Sequence, residues 1–589
     1  MLPRRRLLQV CLLLLVVAGL WTGVRLLAAR HQLQQARSTL QVARTALLDR
    51  RFDAARTALE AASRSTRRAR ALTGDPVTAA WGQLPVLGNN VAVARGLARA
   101  ADDASRRVLA PALVAVEGLD PRRLRRPDGS IDLALLHHLT PPLERAAAAA
   151  SDVRTQAHRL PGSLLLGSVG TARRQLLQQV DALATDLTDT AEAVRLAPAF
   201  LGEGRARHWF VLVQQTGESR GTGGIPGGFA VLEARDGRLR VTSQGSDAQL
   251  RNEPVAAPAS VSRDVVNRYA QDGVLDLWQN VTLPPDVPSV AHLVEARWRA
   301  QGGGPLDGVV MLDGVALSDL LRGGPAIDLG GGRVVQPDAL EDYLALGQYR
   351  DVADPLRRKD KLVAVARAVL TRVSSGGGDS TALLKGMVRA VSSGHLHLAS
   401  DDPALEPVLA RTGLDGALPH GPAPLAYAVV DNASGDKLEY FLDRSVTYEG
   451  GGCDGARRRT TVTVRLRNRA PAVGALPAYV TLRLVDPQVH NSATGRVLLE
   501  VYGTRGARLV SATLDGKAVS TYPGRTQTPL EAGTLLGLPV WRVTTDTPPG
   551  RDVTFVLHLD EPTAKGAPRV PEQPLGSRPF ARRVTLPRC

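Results

Sequence analysis

The chain is poor in cysteine, in aromatic residues and in lysine. Its 589 residues contain three cysteines and 4% aromatic side chains, and only six of its 73 basic residues are lysines. Three scattered cysteines exclude a disulfide-dense scaffold and a zinc finger, because both need closely spaced thiols. With so few aromatic side chains and no RNP-like motif, the common RNA-binding modules are also excluded, and we expect no nucleic-acid partner.

The charge of the chain favours a different class of partner. The formal net charge is +16, and a positive protein attracts phosphates, lipid headgroups and acidic polymers. The excess of arginine over lysine is also what GC-rich coding produces. The charge balance alone therefore predicts only a mild attraction to such anions.

The longest apolar run lies near the amino terminus. Three consecutive arginines, Arg4, Arg5 and Arg6, precede an apolar segment from Leu7 to Leu27. A segment of this length is typical of a transmembrane helix, and the arginines before it predict a cytoplasmic amino terminus. No small-residue cleavage site follows, which favours an uncleaved anchor over a signal peptide. We therefore expect a single-pass plasma-membrane protein that contacts the lipid bilayer through this segment and has its bulk outside the cytoplasm.

Four regions follow from the patterns along the chain, and the expected fold class is multidomain α+β. Residues 1–28 are predicted to form a cytoplasmic tip and the transmembrane helix. Residues 29–197 show helical periodicity, which predicts a membrane-proximal stalk or bundle. Residues 198–420 alternate strands, glycine-rich turns and helices, as an α/β core domain does. Residues 421–589 contain short strands separated by turns, which is typical of a β-sandwich.

Two of the three cysteines, Cys453 and Cys589, follow the apolar segment. An extracytoplasmic location would permit a disulfide between them. Because sequence does not determine pairing, two unrelated free thiols are the alternative.

The most distinctive stretch runs from His208 to Gln244, HWFVLVQQTGESRGTGGIPGGFAVLEARDGRLRVTSQ. Its apolar start, from Trp209 to Val213, predicts a strand that is covered on both faces. Five glycines then precede a second strand that is predicted to begin at Phe229, and glycine permits positive φ and close backbone approach. The pair Asp236-Gly237 predicts a two-residue β-hairpin turn after it.

The glycine-rich turn is a candidate anion-binding site. Glu218 and Arg220 lie at its mouth and can form an ion pair. Alternatively, Arg220 can bind an anion with the help of the backbone N–H groups of Thr222, Gly223 and Gly224. The opposing interpretation is a structural salt bridge that braces the turn.

A second group of cations extends the candidate site. Arg350 precedes a predicted helix that begins with Arg357 and Arg358. Positive charges at a helix start oppose the helix dipole. Their presence there predicts an anionic partner.

Two apparent catalytic or metal motifs do not fit their required context. The stretch around Ser219 matches G-x-S-x-G, but Pro226 and the glycines prevent the helix that a hydrolase nucleophile needs. His395 and His397 share a face of a predicted strand, but no third ligand lies nearby in the sequence. We therefore predict no catalytic residue, no metal site and no cofactor.

The signature stretch resembles a known family. FLGEGRARHWFVLVQQTGESRGTGGIPGGFAVL is similar to the signature of a bacterial membrane-anchored family, Domain of Unknown Function 4012 (DUF4012), in which Glu-x-Arg-x-Thr-Gly-Gly follows a strand. WGQLPVLGNN before it, and PLDGVVMLDGVALSDLL and YAVVDNASGDKLEYFLDRSVTYE after it, resemble further blocks of the family in the same order. The resemblance implies a cell-envelope protein without an assigned activity.

A weaker resemblance concerns a family of enzymes. The order of the strand pair, DGVVMLDGVALSDLLRGGPAIDL and the arginine-rich helix is similar to LytR-CpsA-Psr phosphotransferases, which attach glycopolymers to the cell wall from polyprenyl-pyrophosphate carriers. This similarity implies that Arg220, Arg350, Arg357 and Arg358 would hold a pyrophosphate and that Asp354 would assist Mg²⁺. The Arg-x-Asp-Thr motif of that family is missing.

Three functions stay open at this point. The favoured one is a non-enzymatic cell-envelope factor that binds or assembles an anionic glycopolymer or a polyprenyl-phosphate-linked precursor. One alternative is a phosphotransferase of the LytR-CpsA-Psr type, for which alone we would expect Mg²⁺. The other is a purely structural surface protein.

Overall fold

The computed structural model describes residues 4–49, 51–82, 87–118, 124–375, 380–471, 474–483, 492–521, 528–576 and 579–587. They form two compact units. The first contains Met1–Arg126 and Ile131–Ala199, and the second contains Pro127–Ser130 and Phe200–Cys589. The fold is mixed α/β, with helices and several sheets.

The α-helices of the described residues are α1 (Arg4–Leu48), α2 (Phe52–Thr73), α3 (Pro76–Trp81), α4 (Leu87–Asp103), α5 (Ala110–Gly118), α6 (Leu133–His158), α7 (Gly167–Phe200), α8 (Arg263–Tyr269), α9 (Val287–Ala300), α10 (Gly314–Leu321), α11 (Leu340–Asp342), α12 (Gln348–Asp351), α13 (Pro355–Ser375), α14 (Ser380–Ser392) and α15 (Glu406–Thr412). Short π-helical turns occupy Ala104–Leu109 and Tyr343–Gly347.

The β-strands are β1 (Arg207–Arg220), β2 (Gly223–Arg235), β3 (Arg238–Ser246), β4 (Gly308–Asp313), β5 (Ile327–Asp328), β6 (Val334–Val335), β7 (Leu396–Ala399), β8 (Ala426–Asn432), β9 (Leu442–Asp454), β10 (Arg457–Asn468), β11 (Gly495–Gly503), β12 (Arg508–Leu514), β13 (Lys517–Ser520), β14 (Thr528–Pro529), β15 (Glu531–Leu535), β16 (Leu538–Thr547), β17 (Asp552–Pro562) and β18 (Phe580–Thr585).

Helices α1 to α7 build the first unit. Small side chains let the first helices approach closely. Ala29 of α1 packs with Ala69 of α2 and Ala98 of α4, and Ala46 of α1 packs in a second cluster with Ala55 of α2. The helical periodicity predicted for this region is therefore confirmed.

The predicted transmembrane helix from Leu7 to Leu27 is wrong. Helix α1 is 45 residues long, but no helix among the described residues is long and apolar enough to cross a membrane. Arg25, near the end of the apolar run, makes polar contacts within the protein. Its Nε donates a hydrogen bond to Leu72 O at 3.0 Å and lies 3.2 Å from the carboxylate of Asp75.

The predicted single-pass plasma-membrane localisation is wrong for the same reason. It depended on one membrane-spanning segment, which the structure does not contain among its described residues. The expected cytoplasmic amino terminus, the extracytoplasmic bulk and the bilayer contact lose their basis with it.

A five-stranded sheet in the order β3-β2-β1-β4-β7 forms the centre of the second unit. Strands β1 and β4 pair in parallel and the other neighbours are antiparallel. Phe210 and Leu212 of β1 enter one hydrophobic core, while Val211 and Val213 enter the core on the opposite face. The prediction of a strand covered on both faces is therefore confirmed, as is the hairpin turn at Asp236-Gly237.

Two further sheets form a sandwich in the same unit. Their strand orders are β15-β16-β11-β8 and β14-β13-β12-β17-β10-β9-β18. Ala428 and Val430 of β8 point into the core between these two sheets, whereas Tyr427 and Val429 point into the core shared with the five-stranded sheet. Since one compact unit holds all three sheets, the boundary at residues 420 and 421 stays a prediction.

The glycine-rich stretch is a strand rather than an open turn. Strand β2 begins at Gly223, not at Phe229, and it pairs with β1 through two register shifts. A Cβ at Gly224 would lie 2.2 Å from the carbonyl oxygen of Gln215. Glycine therefore permits a strand contact here that any side chain would prevent.

Cys453 lies at the end of β9 and is disulfide-bonded. Cys589 lies outside the described residues. The expected pairing of these two cysteines therefore stays a prediction.

Replacing Gly224 by alanine should destabilise the second unit. Because the new Cβ meets backbone rather than a movable side chain, we expect the free energy of unfolding to fall by about 1–3 kcal/mol. Gly304→Ala is the matched control, since no atom lies within 4 Å of its added Cβ, and it should change stability by less than about 0.5 kcal/mol. Urea denaturation measures both, and equal stabilities of the two variants would contradict the prediction.

Candidate functional site

Glu218 and Arg220 lie at the end of β1 and are buried. Glu218 is 9% exposed and Arg220 is 6% exposed. Oε1 of Glu218 accepts a hydrogen bond from Nη2 of Arg220 at 3.3 Å, and Oε2 accepts one from Nζ of Lys437. The carboxylate is therefore held between a cation of its own strand and a cation that follows β8.

Both members of the Glu218–Lys437 pair stay ionised in the folded protein. Burial would by itself raise the pKa of Glu218, but Lys437 and Arg220 outweigh it and hold this pKa below its usual value. Burial would likewise lower the pKa of Lys437, but Glu218 raises it above its usual value. Removal of Glu218 would leave the buried Lys437 without its carboxylate partner, whereas removal of Lys437 would leave Glu218 with Arg220 alone.

The guanidinium of Arg220 has protein acceptors on every nitrogen. Its acceptors are Gln279 O (3.2 Å), Ser219 O (2.8 Å), Asn432 O (3.4 Å), Glu218 Oε1 (3.3 Å) and Asn280 Oδ1 (3.1 Å). A guanidinium offers five N–H donors, and these five hydrogen bonds use all of them. An external phosphate would therefore have to displace contacts within the protein.

The glycine-rich segment leaves little room for an anion. The backbone N–H of Thr222 donates to Thr282 O at 3.2 Å. A Cβ at Gly221 would lie 2.1 Å from Leu283 O, and one at Gly223 would lie 3.0 Å from Pro574 O. The backbone of Thr222, Gly223 and Gly224 is thus packed against protein.

Arg358 joins the same cluster through an aromatic ring. Its guanidinium carbon lies 4.4 Å from the ring centre of Tyr479 and 5.2 Å from that of Tyr349. Nζ of Lys437 lies 5.3 Å from the ring centre of Tyr479 as well. Arg358 also donates to Val352 O at 2.8 Å, so its buried charge supports the packing of α13.

Arg350 and Arg357 lie at the surface, apart from the buried pair. Arg350 is exposed. The side chain of Arg357 is 79% exposed and lies 3.7 Å from the carboxylate of Asp354. Of the four arginines predicted to hold one anion, Arg220 and Arg358 are thus buried against protein groups, whereas these two face solvent.

Ser219 and His395 have no catalytic arrangement in the described residues. Ser219 is fully buried, and its hydroxyl has no hydrogen-bond partner that could act as a base. Nδ1 of His395 lies 2.5 Å from Oδ2 of Asp313, whose Oδ1 caps α10. Burial would lower the pKa of His395, but Asp313 raises it above its usual value. This pair therefore supports a helix end.

Gln573 connects β1 to β8. Its Nε2 donates to Arg220 O and to Val430 O, each at 2.9 Å, and its Oε1 accepts from the backbone N–H of Val430 at 2.8 Å. A residue near the end of the chain thus supplies hydrogen bonds to the signature strand.

The sequence patterns did not reveal one buried acid beside Arg220, Asp431. Asp431 is 0% exposed, and both of its carboxylate oxygens lack hydrogen-bond partners among the described residues. Burial raises its pKa well above the usual value, Glu500 raises it further, and Arg220 and Arg542 oppose the shift. The signal was present, because the apolar run YAVVD places an aspartate in register with the inward-facing Tyr427.

A groove lies on the outer face of the seven-stranded sheet. Its volume is about 380 Å³, and Arg459, Thr461, Glu449 and His558 contribute to its lining. Nδ1 of His558 lies 3.1 Å from the hydroxyl of Thr461. The groove therefore presents guanidinium, hydroxyl, imidazole and carboxylate groups along one face.

A comparison with protein families matches part of the second unit. Residues 204–349 match the model of a family described as Protein of unknown function (DUF4012). The chain carries a DUF4012 domain. No curated protein and no solved structure matches the chain.

The DUF4012 domain contains Glu218 and Arg220 but not all of their partners. Lys437 and Gln573 lie beyond its last matched residue. The segments WGQLPVLGNN and YAVVDNASGDKLEYFLDRSVTYE also lie outside the match. The wider resemblance to DUF4012, like that to LytR-CpsA-Psr phosphotransferases, therefore stays a prediction.

Replacing one member of the Glu218–Lys437 pair should lower the free energy of unfolding more than replacing both members. We expect Lys437→Met to lower the free energy of unfolding by about 3 kcal/mol, because it leaves the buried carboxylate of Glu218 with only the longer contact to Arg220. The double variant Glu218→Gln/Lys437→Met should recover part of that loss. Urea denaturation measures both, with the exposed Lys517→Met as control. A Lys437→Met variant as stable as the control would contradict the structural role of the pair.

Asp431 predicts a pH dependence of stability. When the pKa of a carboxyl group is raised in the folded state, the free energy of unfolding falls as the pH rises above the pKa of that group in the unfolded state. Asp431→Asn removes this cost, so its advantage over the wild type should grow from about pH 5 to about pH 7, by up to about 1.4 kcal/mol per pH unit. Urea denaturation across this range measures it, with the exposed Asp454→Asn as control. An advantage that shrinks with pH would overturn the assignment.

Proposed function

We propose that the protein binds an anionic glycopolymer without transforming it, and that the groove on the outer face of the sandwich is the binding surface. The observation that carries the proposal is a positive charge in that groove. It contains an exposed arginine with no acidic partner among the described residues, Arg459, beside several groups that hydrogen-bond sugars.

The other outward-facing arginines of β10 differ from Arg459. Arg457 lies 2.7 Å from the carboxylate of Asp560, and Arg465 and Arg467 lie 3.4 Å and 3.5 Å from Asp552. Each of these three arginines thus has an acidic partner within the sheet, and Asp552 is shared by two of them. The guanidinium of Arg459 is free to donate paired hydrogen bonds to a phosphate or carboxylate.

The remaining groove residues suit the neutral part of a polymer. Thr461 and His558 are hydrogen-bonded to each other, and the pair keeps a donor and an acceptor for a ligand. Together with the acceptors of Glu449, these groups can bind sugar hydroxyl groups. The groove is open to solvent rather than enclosed, which lets a long chain lie across it. These features favour binding of a repeating polymer over enclosure of a small substrate.

The geometry gives less support to the phosphotransferase alternative. All N–H groups of Arg220 have acceptors within the protein, and Arg350 and Arg357 lie at the surface. The residues expected to hold a pyrophosphate are therefore not assembled around one space. That alternative stays a prediction from resemblance.

The proposal predicts that one arginine matters more than its neighbour on the same sheet. Arg459→Gln should weaken binding of poly(glycerol phosphate) about tenfold, whereas Arg465→Gln should weaken it less than about twofold, because both remove one charge but only Arg459 lines the groove. Isothermal titration calorimetry at constant ionic strength measures both affinities, with neutral dextran as the comparison polymer.

Two results would argue against this proposal. Equal losses in the two variants would indicate general attraction to a basic surface. Equal binding of dextran would indicate that the anionic groups are not recognised.

A further inference from the structure

His292, Glu295 and Asp401 bring three metal-binding side chains together in the second unit, far in the sequence from the groove of β10. One ligand atom of each lies within 4.8 Å of the others. Nε2 of His292 lies 3.5 Å from Oδ1 of Asp401. Local sequence patterns do not relate these residues, because more than a hundred positions separate the helix from the aspartate.

The fold holds two of the ligands on one rigid helix. His292 and Glu295 are one turn apart on α9, so they project from the same side. The buried side of α9 includes Val290, Leu293 and Val294, each 0% exposed. A helix packed in this way orients its half-buried imidazole and carboxylate without help from a ligand.

The third ligand follows β7. The residue before Asp401 is fixed, because the hydroxyl of Ser400 donates to Asp307 O at 2.7 Å. The residue after it is fixed as well, because Arg207 donates to the carboxylate of Asp402 at 2.8 Å. The side chain of Asp401 is itself 70% exposed. It can therefore rotate toward α9 while its backbone stays in place.

The charges around this cluster favour the binding of a cation. Asp307 is paired with Arg205 at 2.6 Å and with Arg207 at 3.1 Å. In the described part of the chain, neither Glu295 nor Asp401 has an arginine or lysine within 4.0 Å, although their carboxylates lie close together. Arg299 acts on Glu295 only from beyond that distance. Two adjacent carboxylates with no cation in direct contact repel each other, and a bound cation would reduce that repulsion.

We propose that His292, Glu295 and Asp401 bind a divalent first-row transition-metal ion such as Zn²⁺. An imidazole nitrogen together with two carboxylates suits these ions, whereas Ca²⁺ and Mg²⁺ prefer oxygen ligands in larger number. Three protein ligands leave at least one coordination position for water or for an anionic group. The ion would join α9 to the segment after β7, independently of the proposed glycopolymer binding.

Calorimetry on the full-length protein tests this site. The protein should carry no histidine tag and should be freed of metal by a chelator before titration with ZnCl₂. We expect Asp401→Asn and Glu295→Gln each to weaken Zn²⁺ binding by about tenfold or more. Asp338→Asn is the matched control, since its side chain is 71% exposed, against 70% for Asp401, and it should bind Zn²⁺ like the wild type.

Thermal unfolding gives a second readout. Zn²⁺ should raise the unfolding temperature of the wild type and of Asp338→Asn, but not that of Asp401→Asn, because a ligand stabilises the state that binds it. Two results would overturn the proposal: unchanged Zn²⁺ affinity in both site variants, or tighter binding of Ca²⁺ or Mg²⁺ than of Zn²⁺. Circular dichroism checks folding, and Glu295→Gln decides the question if Asp401→Asn does not fold.

Discussion

The second unit depends on the buried contact between the carboxylate of Glu218 and the ammonium group of Lys437. These two residues are 219 positions apart in the chain. A charge in the protein interior is tolerated only beside its counter-ion and with its hydrogen bonds made. The end of β1 can therefore take its present position only when the segment after β8 is also in place. This ion pair thus adds a buried polar contact to the hydrophobic core that the five-stranded sheet shares with the sandwich.

Local features of this fold were predictable from the sequence, because neighbouring residues determine them. The apolar run of β1 and the Asp236-Gly237 turn are examples. Partners distant in sequence were not predictable. No periodicity relates Lys437 to Glu218 or brings Asp401 to His292. The candidate residues of the signature were found, but their burial, and hence their structural role, depends on segments that local patterns do not connect.

Two predictions were wrong because segments of similar composition can form different structures. A glycine-rich segment suggests a turn, but in β2 the missing side chains permit close strand pairing. An apolar run suggests a membrane span, but α1 contains alanines that pack against other helices and an arginine that bonds to a backbone carbonyl. In β2 and in α1, the contacts of individual residues show which of the two structures is formed.

Gln573 lies outside the region that matches the family but donates a hydrogen bond to a residue inside it. The matched region ends at residue 349, yet the carbonyl of Arg220 is bonded by a side chain near the other end of the polypeptide. If that region were excised, its two most distinctive charged residues would lose Lys437 and Gln573 together. The region that matches the family is thus shorter than the set of residues that completes the hydrogen bonds and charge pairs of β1.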